Sequence, residues 1–250
     1  MNQVIQGDCL IVMKDIPDKS IDMVLTSPPY DNLRDYKGYT FNFEGIAKEI
    51  YRVLKDGGVC VWVVGDATIK GSETGTSFKQ ALYFKEVGFN LHDTMIFQKS
   101  SPPIVPTVRR YQPNFEYMFV FSKSKLKTFN PLRVRKVYTD NRKVKKWHRK
   151  TNGDFVVGER KKTTDKIREN VWHYAVSGGN ITKDVVNHPA MFPEKLAEDH
   201  ILSWSNEGDT ILDPMAGSGT TLKMAKKNNR NYVGIEISPE YIDIINKRLS

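Results

Sequence analysis

Two short stretches, far apart in the chain, carry residue types that could do chemistry. One reads Thr26-Ser27-Pro28-Pro29-Tyr30, the other Asp213-Pro214-Met215-Ala216-Gly217-Ser218-Gly219-Thr220-Thr221. In the first, two prolines fix the backbone and remove two N–H donors, which leaves carbonyl acceptors in set positions. Ser27 adds a hydroxyl oxygen and Tyr30 a flat ring. Two fixed acceptors beside one ring suit a base that carries an exocyclic amine. The nitrogen of such an amine is a poor nucleophile because its lone pair is delocalised into the ring. Acceptors placed on its two N–H groups favour a more tetrahedral, nucleophilic form. Ser-Pro-Pro is also an ordinary turn.

In the second stretch, Gly217 and Gly219 permit positive φ and close backbone approach to a ligand. The helix that follows offers free N–H groups at its start. Glu236 closes the next apolar run, in Gly234-Ile235-Glu236-Ile237. An acid about 20 residues past a glycine loop, at the end of the second strand, can accept both ribose hydroxyls of an adenosine cofactor. That spacing fits a nicotinamide dinucleotide as well as S-adenosylmethionine. The Ser-Pro-Pro-Tyr turn favours the second.

The elements that must hold these loops follow an α/β rhythm. Residues 3–8, 21–25, 59–64, 91–98, 117–121, 210–212 and 232–237 read as short apolar strands. Helical spacing appears over 10–15, 43–54, 78–87, 194–204, 218–227 and 239–249. Lys55-Asp56-Gly57-Gly58 reads as a glycine stop after the second helix, and residues 65–75 as a polar loop. Strands alternating with helices predict a mostly parallel sheet with helices on both faces. Ligands then bind at the carboxyl ends of the strands, where both stretches sit. The glycine loop that usually opens such a fold lies near the C-terminus, as in a circular permutation.

Between residues 123 and 170 the rhythm stops. Residues 123–169 hold 17 Lys and Arg against 5 Asp and Glu. That excess is larger than the net +9 of the whole chain, so the remainder is net acidic. A segment this one-sided predicts a polyanionic partner. Lys145, Lys146, Trp147, Arg149 and Lys150 lie in its densest part, and Phe129, Tyr138, Trp147 and Phe155 interleave the charges. Hydrophobic content of 39% and aromatic content of 11% are enough for a sizeable core. No run approaches the roughly 18 apolar residues of a membrane span, and no signal-peptide pattern opens the chain. Cys9 and Cys60 read as buried thiols, which fits a cytoplasmic setting. The five histidines have no metal-binding spacing, so no metal is expected.

Taken together, the motifs resemble the permuted β group of DNA amino-methyltransferases. Residues 26–30 match that family's catalytic motif, 213–220 its S-adenosylmethionine loop, Glu236 its ribose acid, and 187–193 the segment over the methionine part of the cofactor. Residues 114–123 resemble a family strand before the recognition region. Met215 stands where the family usually has Phe. The resemblance implies a Rossmann-like methyltransferase fold formed by residues 1–122 and 171–250, with a target-recognition insertion over 123–170. It also implies Ser27, Pro28, Pro29 and Tyr30 as catalytic residues. Asp8, Asp213, Met215, Gly217, Gly219, Thr220, Glu236, His188 and Phe192 would contact S-adenosylmethionine. Arg34, Lys145, Lys146, Trp147, Arg149 and Lys150 would contact double-stranded DNA.

The expected activity is methylation of the exocyclic N4 amine of cytosine, with the base flipped out of the stack and the methyl transferred directly. Within the family, Ser before Pro-Pro-Tyr leans toward cytosine N4. Adenine N6 and an RNA base stay open as alternatives, as do a homodimer and a partnered restriction nuclease. No cysteine sits in a Pro-Cys context, against carbon-5 chemistry. Two further classes compete. A nicotinamide oxidoreductase would need the glycine loop but neither the Ser-Pro-Pro-Tyr turn nor the basic segment. An inactive nucleic-acid-binding module would keep the basic segment and lose the pocket residues, all of which are present.

Overall fold

The computed structural model describes residues 2–29, 41–100, 109–136, 145–149, 151–159, 164–175 and 193–250. Tyr30, Arg34, Lys150, His188 and Phe192 therefore lie outside the described residues. So does the whole 187–192 stretch.

The described strands, in chain order, are β1 (Asn2–Gln6), β2 (Ile21–Thr26), β3 (Leu54–Val64), β4 (Thr68–Ile69), β5 (Ser72–Glu73), β6 (Asn90–Lys99), β7 (Phe115–Ser122), β8 (Arg133–Arg135), β9 (Lys145–Arg149), β10 (Phe155–Glu159), β11 (Asp165–Ile167), β12 (Val171–Tyr174), β13 (Thr210–Asp213) and β14 (Asn231–Glu236). The helices are α1 (Cys9–Val12), α2 (Phe43–Val53), α3 (Thr76–Val87), α4 (Glu194–Trp204), α5 (Thr220–Lys227) and α6 (Pro239–Leu249). Eight strands form one sheet in the order β1-β14-β13-β2-β3-β7-β6-β12. All neighbours in it run parallel except β7, which is antiparallel to both β3 and β6. The mostly parallel, Rossmann-like arrangement expected from the sequence is what the chain adopts. Among the described residues no helix is long and apolar enough to cross a membrane.

The central strands read as continuous apolar runs because both their faces are covered. In β3, Val59 to Val64 are all buried, and in β2 Met23, Val24 and Leu25 are fully so. Helix α2 packs Ile46, Ala47, Ile50 and Val53 inward, and α3 packs Ala81 and Phe84. Phe84 stacks on Phe121 at 4.5 Å between ring centroids. The buried Trp62 donates its indole N–H to Gln80 Oε1 at 2.8 Å, which removes the cost of an unpaired polar atom.

Three segments differ from the sequence reading. Residues Lys55 to Gly58 do not stop a helix in a loop: α2 ends at Val53 and β3 begins at once. Gly57 takes φ +84 there and donates its N–H to the Lys123 carbonyl at 2.5 Å. The polar stretch after β3 holds a small hairpin, β4 with β5. Strand β12 extends the sheet beside β6 although it carries only four residues.

The contacts divide the chain into a larger unit, Met1–Asn130 with Asn170–Ser250, and a smaller one, Pro131–Glu169. The smaller unit contains two antiparallel pairs, β8 with β11 and β9 with β10. Lys123 to Asn130 belong to the larger unit. Lys123 is buried and donates its ammonium to the carbonyls of Tyr51 and Leu54 at 2.5 and 2.8 Å. Phe129 stacks on Trp204 at 5.0 Å, so it is a packing residue of that unit.

Candidate active site

Strands β14, β13, β2 and β3 are consecutive and parallel, so their C-terminal ends open along one edge. Leu212 pairs with Val24 on one side and Val233 on the other, and Asp213 with Gly234. The glycine loop and the Ser-Pro-Pro turn therefore start from adjacent strands at nearly the same level.

The glycine loop is held by its own backbone. Ala216 N–H donates to the Ile235 carbonyl at 2.9 Å, and Gly219 N–H to the Ala216 carbonyl at 2.7 Å. Gly217 and Gly219 sit at φ +52 and +78, left-handed values that strain other residues. A Cβ at Gly219 would also come within 3.0 Å of the Ile245 side chain. Gly234 is needed for a different reason. A Cβ there would fall 2.3 Å from Leu222 of α5, so only glycine lets that helix lie close against β14.

Glu236 ends β14 and is buried. Its two carboxylate oxygens accept the N–H groups of Gly217 and Ser238 at 2.8 and 2.9 Å. Burial raises its pKa, and these backbone bonds oppose the rise. An ionised carboxylate offers about four lone-pair sites, so Glu236 can clasp the glycine loop and still receive hydroxyl groups. Asp8 lies close by in register: Gln6 pairs with Glu236, and Gly7 N–H donates to the Glu236 carbonyl at 3.0 Å. Asp8 caps α1 by accepting Leu10 N–H at 2.8 Å. Burial, with Asp8 next to it, pushes the Cys9 thiol up to about 12, which disfavours the thiolate. Burial likewise raises the Cys60 thiol.

One contact joins the two loops. Thr26, immediately before Ser27, donates its hydroxyl to Asp213 Oδ1 at 2.8 Å. The same oxygen accepts Met215 N–H at 3.1 Å. Thr221, on the first turn of α5, donates its hydroxyl to the Leu25 carbonyl at 3.2 Å. The turn and the glycine loop are thus locked together from both sides. Ser27 and Pro29 are half-buried beyond this lock and Pro28 is buried. Met215 is partly buried and packs against the main core.

Asp213 is nearly inaccessible. Burial raises its pKa from 3.8 to about 6, against the opposing hydrogen bonds from Thr26 and Met215. A carboxyl with a raised folded pKa binds more protons folded than unfolded inside that window. Its stabilising contribution is therefore complete below 3.8 and lost as pH rises to about 6. Replacing Asp213 with Asn should remove this component. The Tm difference between the wild type and Asp213→Asn should shift against the wild type as pH rises through the window. Parallel Tm profiles would refute it.

Sequence reasoning missed a second brace. Arg248, near the end of α6, donates Nη1 to the Ser218 carbonyl at 2.7 Å and to Thr220 Oγ1 at 3.3 Å, and Nη2 to Glu194 Oε1 at 2.6 Å. Lys223 reaches the same Glu194 oxygen at 2.7 Å. The first residue of α4 is thereby tied to the glycine loop. In the sequence, Arg248 reads only as a favourable charge at a helix C-terminus.

Lys145, Lys146, Trp147 and Arg149 lie along β9 in the smaller unit. Among the described residues no group of three His, Cys, Asp or Glu could hold a metal ion. The acid, the glycine loop and the linked Ser-Pro-Pro turn together can hold a nucleoside-bearing ligand against an amine.

Known proteins resemble this chain in sequence and in fold. The chain is 56% identical over 242 residues to the orphan methyltransferase M.BamHII of Bacillus amyloliquefaciens, spanning 94% of this chain and 91% of that protein. Its fold matches that of the PvuII DNA methyltransferase (cytosine-N4-specific) with a TM-score of 0.75 at 23% identity, over 100% of this chain and 86% of that one. It also matches the M1.HpyAVI–SAM complex with a TM-score of 0.67 at 22% identity, over the full length of both. Residues 21–247 fit the N6/N4 methyltransferase family model, described as DNA methylase, and the chain belongs to that DNA methylase family.

Proposed function

We propose that this DNA methyltransferase uses S-adenosylmethionine to methylate the N4 amine of cytosine in duplex DNA. The observation that carries the proposal is the Thr26–Asp213 hydrogen bond, because it sets the Ser-Pro-Pro turn beside the glycine loop. Glu236 and the loop from Asp213 to Thr220 would hold the cofactor, with Asp8 and Met215 at its flanks. The buried carboxylate with spare lone pairs fits ribose hydroxyls, and the positive-φ glycines fit a close backbone approach. His188 and Phe192 complete that set by resemblance. When bound, the cofactor supplies an electrophilic methyl group.

The chain's own residues act on the base. A target base must leave the stack to reach such a turn. Ser27 Oγ and the Pro28 carbonyl would accept the two N–H groups of the amine, and Pro29 would keep the turn rigid. Tyr30 would stack on the ring. Ser27 is a neutral acceptor where an Asp would be a charged one, and the PvuII DNA methyltransferase, similar in fold, is cytosine-N4-specific. Both support cytosine over adenine. In the smaller unit, Lys145, Lys146 and Arg149 on one strand, with Trp147 between them, suit docking on phosphates. By resemblance, Lys150 and Arg34 would also contact DNA. Phosphate contacts fix register, while base-edge contacts specify sequence.

The test is transfer of labelled methyl from S-adenosylmethionine to unmethylated DNA and RNA, followed by nucleoside mass spectrometry. N4-methylcytosine in DNA is the expected product. N6-methyladenine alone would overturn the target base, and label found only in RNA would overturn the polymer.

A further inference from the structure

The β4–β5 hairpin has no part in the site as described. It begins just past β3, the strand beside β2. Thr26, the last residue of β2, pairs with Trp62, two residues before β3 ends. Two residues past that end, Asp66 starts the approach to the hairpin. The hairpin therefore follows the C-terminal end of the strand paired with the one that carries the Ser-Pro-Pro turn.

The hairpin is tightly built for its size. Lys70 and Gly71, at φ +49 and +84, form a two-residue turn of the type that matches strand twist. Arg110 clamps it, donating to Thr68 Oγ1 at 2.9 Å and to the Gly71 carbonyl at 2.7 Å, with Glu73 at 3.6 Å. At its root, Asp66 accepts both the N–H and the hydroxyl of Ser77 at 2.8 and 2.6 Å. An isolated two-stranded hairpin is marginal in water, and these bonds are what fix this one.

Its tip nevertheless packs on little. Ile69 is 56% exposed, and a Cβ added at Gly71 would meet nothing within 4 Å. A lone exposed isoleucine is commonplace on protein surfaces. This one stands out because it is held on a braced finger, next to a lysine, just past the carboxyl end of β3.

Resting on the reading above of a base-flipping DNA methyltransferase, we propose that the hairpin is a second DNA-contacting element. Ile69 is its wedge, packing against the bases next to the extruded one, and Lys70 faces the phosphates. Apolar side chains inserted at base steps stabilise unstacked DNA in this way.

The test uses the full-length chain and labelled S-adenosylmethionine on one unmethylated plasmid, either relaxed or negatively supercoiled. Ile69→Ala should slow single-turnover methyl transfer on relaxed plasmid by about tenfold, the scale expected when one wedge is lost. The defect should shrink on supercoiled plasmid, whose strands separate more readily. Ile69→Leu, which keeps an apolar tip, should transfer as the wild type does. Thermal melting checks that both variants fold. Unchanged rates in Ile69→Ala, or an equal loss on both plasmid forms, would overturn the hairpin's role. Failure of the wild type itself to methylate the plasmid would instead overturn the underlying reading of activity.

Discussion

Ser27→Ala should bind S-adenosylmethionine as the wild type does and transfer methyl to DNA on the order of 100-fold more slowly, the cost of one lost transition-state hydrogen bond in a preorganised site. The acceptor matters most when the amine nitrogen becomes tetrahedral and its N–H groups need fixed partners. In the ground state the same bond is worth little, because water can replace it. The loss should therefore fall on the single-turnover rate, not on DNA affinity. Cofactor binding should be spared because the Thr26–Asp213 hydrogen bond that joins the loops is kept in the variant. Titration calorimetry and single-turnover assays read the two quantities separately. Full activity in Ser27→Ala would reject the turn as the amine-holding element, whichever base is the target. A rate loss accompanied by lost cofactor binding would mean that Ser27 supports the loop instead.

Much of this site is legible in the sequence because its chemistry is local. Glycines at 217 and 219, the Ser-Pro-Pro turn and an acid at 236 each announce themselves by residue type within a few positions. Alternating apolar runs reveal most of the sheet for the same reason, and α4 and α6 begin and end where their spacing says. What stays hidden depends on partners distant in sequence. The Arg248–Glu194 brace joins residues 54 positions apart, and its arginine looks like any basic residue at a helix end. Lys123 looks like the first charge of a solvated basic segment, yet its ammonium is buried against the carbonyls that end α2. Lys55 to Gly58 look like a helix stop because two glycines follow a helix. They are in a strand because Gly57 and Gly58 exchange backbone bonds with Lys123, which is 3.0 Å from the Gly58 carbonyl. The hairpin at 68–73 is too short to show a period of two, and only its Lys-Gly pair marks it.

Glu236→Ala should weaken S-adenosylmethionine binding by about 1.5–3 kcal/mol for each charged hydrogen bond lost to a ribose hydroxyl. From the sequence alone, the acid reads simply as a ligand for those hydroxyls. The structure adds a second duty, because Gly217 and Ser238 both donate to it. Removing the carboxylate leaves these two N–H groups without their acceptor, at about 1–3 kcal/mol each where water cannot reach. The variant should therefore also melt at a lower temperature. A weakened affinity by itself would not tell a loosened loop from a lost contact. An analogue of the cofactor lacking both ribose hydroxyls makes the distinction. If Glu236 receives those hydroxyls, the wild type should bind the analogue much more weakly than the cofactor, and Glu236→Ala should bind the two nearly alike. The energies would then fail to add, as they must for groups in direct contact. If the acid only clasps the loop, the mutation and the missing hydroxyls should weaken binding independently and their effects should sum. Additive calorimetric values would thus leave Glu236 as a brace for Gly217 and remove it from the cofactor's contacts.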